Sequence, residues 1–118
     1  MSHDLHIEDQ GRVLDIRTYK LVAGKRDEFD RIVREHSLPM LRRYGISVVA
    51  AGPSLQDDDH YILIRSFDSL DERREQLERF YGSDEWLENY DEPVMELIEA
   101  YHTVVFPTSG DRGSTHWS

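Results

Sequence analysis

Residues 60–72 read HYILIRSFDSLDE, and a change of period inside this stretch decides the fold. Tyr61, Leu63, Arg65 and Phe67 alternate with His60, Ile62, Ile64 and Ser66, a repeat of two that sends successive side chains to opposite faces of a strand. Ser69-Leu70-Asp71-Glu72 then fits the capping box, in which a serine hydroxyl and a glutamate carboxylate satisfy free amides at a helix start. Leu70, Leu77, Phe80 and Tyr81 continue at helical spacing until Gly82. A strand therefore feeds directly into a helix, the second half of a split β-α-β unit.

Upstream, Asp57-Asp58-Asp59 suits a hairpin tip, and the valine-rich run 46–51 ahead of Gly52-Pro53 reads as the strand paired through it. Before that, Phe29, Ile32, Val33, His36, Met40, Leu41 and Tyr44 form one apolar stripe of a helix that Gly45 ends. Pro39 lies inside this stripe and predicts a kink near Leu38. Residues 12–21 alternate again, with Leu14, Ile16 and Thr18 opposite Val13, Asp15, Arg17 and Tyr19. Downstream, Ser83 is placed to cap a helix carrying Trp86, Leu87, Tyr90, Val94, Leu97, Ile98 and Tyr101. Pro93 either kinks that helix or starts a separate one capped by Asp91. Residues 102–106 form the last strand, ended by Pro107.

The order is β-α-β-β-α-β, a ferredoxin-like α+β sandwich over residues 12–107, with residues 1–11 and 108–118 expected to be tails. Both helical crossovers on one side leave the other sheet face bare, with valine, tyrosine, leucine and phenylalanine on it in at least one register. A second copy of the chain is the expected cover, giving a homodimer.

Composition narrows the function. A net charge of -10 over 118 residues repels phosphate backbones and makes nucleic acid a poor partner. Neither an apolar run of membrane length nor a basic, apolar leader is present, so no membrane partner and a cytoplasmic location are expected. Six histidines without a cysteine exclude disulfides and thiolate chemistry. Charge is uneven: residues 12–43 carry nine Lys/Arg against five Asp/Glu, whereas 84–99 carry seven acids and no base. A solvated acidic face, or less simply a docking face for a basic partner, accounts for the latter.

Several segments together resemble the NIPSNAP family, a branch of the dimeric α/β-barrel superfamily. They are Asp15-Ile16-Arg17-Thr18-Tyr19 leading to Gly24-Lys25 and Phe29, His36-Ser37-Leu38-Pro39 with Leu41-Arg42-Arg43-Tyr44-Gly45, Phe67 through Arg74, and Tyr81 with Asp84-Glu85-Trp86. In the third strand, where family members often carry a His and a Trp, this chain has Leu63 and Arg65. The resemblance implies a dimeric α/β barrel. Activity is less constrained, since the wider superfamily includes cofactor-free monooxygenases, haem-degrading enzymes and aldoxime dehydratases.

The inward polar residues are the candidate site. Arg17, Tyr19 and Tyr61 are the expected ligand-binding groups, for a small apolar or aromatic molecule between sheet and helices. If the chain is a cofactor-independent monooxygenase or isomerase, His36 is the candidate base, with Arg65, Arg17 or Tyr19 stabilising the enolate. The plainer account pairs Arg17 with Asp15 or a partner-chain acid and leaves the tyrosines as packing. No cofactor is expected, and no metal, since His36, His60 and His102 come from three elements without a ligand spacing. His3 and His6 belong to the expected N-terminal tail.

Overall fold

The computed structural model describes residues 11–108. Its elements run β1 (Val13–Leu21), α1 (Arg26–Ile32), a π turn (Val33–Ser37), α2 (Leu38–Arg43), β2 (Ser47–Pro53), β3 (His60–Phe67), α3 (Leu70–Tyr81), α4 (Asp84–Asn89), α5 (Asp91–Met95) and β4 (Ile98–Pro107). The strands form one sheet in the order β2-β3-β1-β4, with every pairing antiparallel. This is the ferredoxin-like α+β arrangement expected from the alternation. The tails lie outside the described residues, except for Gly11 and for Thr108, whose amide donates to the Arg12 carbonyl.

All helices sit on one face. Val13, Asp15, Tyr19 and Leu21 of β1 and Tyr61, Leu63, Arg65 and Phe67 of β3 are buried, and the residues between them are not. Phe29, Val33, Met40, Leu41, Phe80, Trp86, Val94 and Leu97 complete the core from the helical side. No helix of the described residues is long and apolar enough to cross a membrane.

The other face carries Leu14 and Ile16 from β1, Ile62 and Ile64 from β3, and Val104 and Phe106 from β4. Ile16 is central, opposite Ile64 on one side and Val104 on the other. Phe106 is 41% exposed and Val104 49%. Tyr19, Tyr61 and Tyr101 lie on the helical face, so this bare surface is aliphatic with one phenylalanine and no tyrosine from these strands.

Local signals explain the element ends. Ser69 accepts the Glu72 amide at 3.0 Å and Ser83 accepts the Trp86 amide at 3.1 Å, satisfying donors that the first turns leave free. Gly45 ends α2 at φ +79°, a conformation that a Cβ would strain.

One expectation takes a specific form and three need correction. At the expected Pro39 irregularity the helix widens into one π turn, with the Leu38 amide donating to the Val33 carbonyl. A proline presses on the carbonyl four residues back, and a wider turn relieves that contact. Val33 and Leu38, five apart, then face inward, and His36 turns out to solvent rather than joining the stripe. β2 runs through Gly52-Pro53, which an edge strand tolerates because its outer amides need no partner. β4 begins at Ile98, not His102, because β1 extends to Leu21 and pairs it with Ile98. α5 is a separate helix, but Tyr90 precedes it, and Asp91 instead accepts Trp86 Nε1 at 3.1 Å.

Candidate functional site

The antiparallel register places Asp15 directly across from Arg65, and Tyr19 across from Tyr61 on one side and Tyr101 on the other. Asp15 and Arg65 are both fully buried. Asp15 Oδ1 accepts Arg65 Nη2 at 3.0 Å, while Oδ2 accepts Arg73 Nε from α3 at 2.7 Å. Two guanidinium groups thus share one carboxylate, and a net positive charge stays under the helices. Arg65 spends its third contact on Tyr81, donating Nη1 to the phenol oxygen at 3.0 Å. Among the described residues, no buried side-chain nitrogen or oxygen lacks a partner.

Beside this cluster a cleft of about 580 Å³ opens between the β1–β4 edge and α3 to α5. Its walls come from Arg17, Tyr19, Tyr101 and Ile98 on the sheet and from Leu77, Tyr81, Trp86, Val94 and Met95 on the helices, with Glu78 and Asp91 also in the lining. That volume suits a small organic molecule, and the lining pairs apolar walls with few polar groups, as ligand sites do. Deeper between sheet and helices, near Phe29, Leu41 and Phe80, only about 30 Å³ remains, little more than one water occupies.

Arg17 holds the sheet wall. Its Nε donates to Thr103 Oγ1 at 2.9 Å, and its guanidinium lies 4.7 Å from the centre of the Tyr101 ring, a cation–π distance. Asp15 is taken by Arg65 and Arg73, and among the described residues Arg17 makes no ion pair. Burial, reinforced by Tyr81, pushes the Tyr19 phenol up to about 12 although Arg17 and Arg65 pull the other way. Tyr19 therefore stays protonated and able to donate at neutral pH.

The five expected site residues separate into three groups. Arg17 and Tyr19 line the cleft. Arg65 stands behind its wall and acts on it through Tyr81. Tyr61 and His36 point elsewhere: the Tyr61 hydroxyl donates to Asp30 of α1 at 2.6 Å, and exposed His36 sits 3.3 Å from the Tyr90 hydroxyl with the two rings 5.3 Å apart. Tyr81, Trp86 and Tyr101 complete the cleft; the latter two read from sequence as helix anchors. Only an earlier start for β4 would have put Tyr101 beside Arg17.

Other polar candidates are engaged locally. His60 contacts Asp57 at 2.9 Å at the hairpin, and His102, opposite Thr18, is exposed on the bare face. Among the described residues, no group of three His, Asp or Glu side chains is arranged to hold a metal. The acidic segment is partly neutralised from within, by Arg43 on Glu85 at 2.7 Å and Lys20 on Glu99 at 3.0 Å.

A four-stranded antiparallel sheet, helices on one face and a cleft at the β4 edge define a ferredoxin-like α+β protein. The chain belongs to the NIPSNAP family, whose model matches residues 14–109. Its structure is similar to a NIPSNAP family protein of Agrobacterium tumefaciens, at TM-score 0.75 and 19% identity over 83% of this chain and 86% of that one. A second Agrobacterium tumefaciens family member, of unknown function, has TM-score 0.75 and 22% identity over 83% and 88%. A Nitrosomonas europaea protein provisionally named an antibiotic biosynthesis monooxygenase has TM-score 0.66 and 14% identity over 83% and 90%. At these identities the likeness is one of fold. Comparison with curated proteins finds no match.

Proposed function

We propose that this NIPSNAP chain works as a homodimer, joined through its bare sheet face, that binds a small apolar or aromatic molecule in the cleft between sheet and helices. The observation that carries the binding role is the cleft itself, about 580 Å³ with aromatic and aliphatic walls. Arg17 is already oriented there by Thr103 and Tyr101, so binding needs little ordering of that long side chain. The aliphatic patch centred on Ile16 supports the dimer, since such a surface is seldom left to water.

Native mass spectrometry with a mixture of small aromatic and aliphatic compounds tests this reading. One ligand per protomer is expected, lost in Met95→Trp, which fills the cleft from a half-exposed position. Ligand retained at full occupancy in that variant would place it elsewhere and remove the proposal.

Cofactor-independent oxygenation or isomerisation in the same cleft is a second reading. Arg17 and the Tyr19 and Tyr81 hydroxyls are donors suited to an enolate oxygen, and the Nitrosomonas europaea neighbour shares the fold. His36 is not in the lining, so a base would come from Glu78, Asp91 or the substrate's own acidity. Oxygen uptake with an enolisable aromatic substrate, or deuterium exchange from solvent into it for isomerisation, separates catalysis from binding alone.

A further inference from the structure

We propose that the cleft selects an organic anion, a carboxylate or phenolate oxygen on a flat apolar body, and that Tyr81, set by buried Arg65, donates the hydrogen bond that recognises this oxygen. The inference rests on the binding role above and adds the charge and chemical class of the ligand.

Tyr81 has one proton and one oxygen to place. Its oxygen accepts from Arg65 Nη1 at 3.0 Å, and among the described residues its own hydrogen has no acceptor. The residue lines both the cleft and the small space behind it, and in the proposed role this hydrogen turns to the cleft side. A phenol whose oxygen accepts from a cation is polarised and becomes the stronger donor.

Arg65 cannot swing away from this contact. Asp15 holds it at 3.0 Å, and the other Asp15 oxygen is held by Arg73 at 2.7 Å. The trio carries one net positive charge, with Arg65 and Asp15 fully buried and so weakly screened. Arg17 adds a second positive charge on the sheet wall. Opposing them, Asp91 is bonded to Trp86 Nε1 and Glu78 is exposed to solvent, which weakens its field. An oxygen between Arg17 and Tyr81 meets donors, while Trp86, Val94 and Met95 offer the apolar surface for the rest of the molecule.

The test titrates the full chain with 2-naphthoate and its neutral isostere 2-naphthamide, following binding by calorimetry and by contacts between ligand and tyrosine ring protons in NMR spectra. The acid should bind roughly tenfold tighter than the amide, the size of one hydrogen bond to a charged group. Tyr81→Phe should lower that preference, Arg17 keeping the remainder, with a smaller loss of naphthamide affinity because the amide oxygen accepts a weaker hydrogen bond. Its ring packing, 4.7 Å from Phe80 and 5.1 Å from Trp86, needs no hydroxyl. Equal affinities in the wild type overturn the anion preference and leave the cleft as a binding site. An unchanged preference in Tyr81→Phe, or no naphthoate contact to the Tyr81 ring in the wild type, removes Tyr81 from the role even if that variant does not fold. Failure of both probes to bind defeats the binding role and this inference together.

Discussion

Asp15 and Arg65 face each other across the two central strands with neither side chain reached by solvent, 3.0 Å apart. Removing one partner of such a pair leaves the other charge buried and alone, whereas removing both charges for apolar groups of similar size is often neutral. Asp15→Ala should therefore lose about 3–5 kcal/mol in urea unfolding. Asp15→Leu combined with Arg65→Met and Arg73→Met, which leaves no guanidinium without its carboxylate, should recover most of it, at the expense of the Tyr81 contact. A combined variant no more stable than the single one would show that the charged trio itself is a major source of stability.

The Tyr61 hydroxyl gives a pH dependence whose direction is fixed. Burial, then its bond to the Asp30 carboxylate, raises the Tyr61 pKa well above the ordinary phenol value, and Tyr19 is raised as well. The folded protein thus keeps these protons at pH values where the unfolded chain begins to release them. Their stabilisation is full below about pH 10 and declines as pH rises beyond it. Tyr61→Phe, which keeps the ring against Phe29 at 5.0 Å, should cost about 1 kcal/mol at pH 7 and less at pH 10.5. Urea melts at the two pH values measure the gap; an equal gap at both would contradict the linkage.

Much of the fold was legible because the two central strands, β1 and β3, alternate and the starts of α3 and α4 carry their own serine caps. The start of β4 was not, because Leu97, Ile98 and Tyr101 also suit a helix, and what decides their state is the pairing of Leu21 with Ile98. The site was half legible. Alternation put Arg17, Tyr19 and Arg65 on the inward face, yet His36 is turned away by the π turn and Tyr61 is drawn to Asp30. Tyr81 carries no sequence signal of the role proposed for it, since Arg65, which donates to its hydroxyl, lies on another element, 16 positions away.

Gly82 separates α3 from α4 and tests whether that break is steric. Its φ of -92° is open to any residue, but a Cβ there would lie 2.8 Å from the Glu78 carbonyl oxygen. That same carbonyl accepts the Gly82 amide at 2.9 Å, so it cannot retreat without losing a bond. Gly82→Ala should destabilise by about 1–2 kcal/mol by chemical denaturation. Unchanged stability would mean that the α3 terminus gives way freely.

Ile16 tests the proposed dimer. It sits mid-sheet on the uncovered face, opposite Ile64 and Val104, so a charge there would fall at the centre of any face-to-face contact. The residue lies outside the buried core, and its replacement should disturb the fold of the protomer little. Sedimentation of the wild type should show twice the chain mass, and Ile16→Glu should sediment as a folded monomer, with its circular dichroism spectrum retained. Burying an unpaired carboxylate in an apolar interface costs several kcal/mol, enough to shift association by more than a hundredfold. A wild type that stays monomeric at every concentration would leave the aliphatic face unexplained by self-association, and a dimer that survives Ile16→Glu would place the contact on another surface.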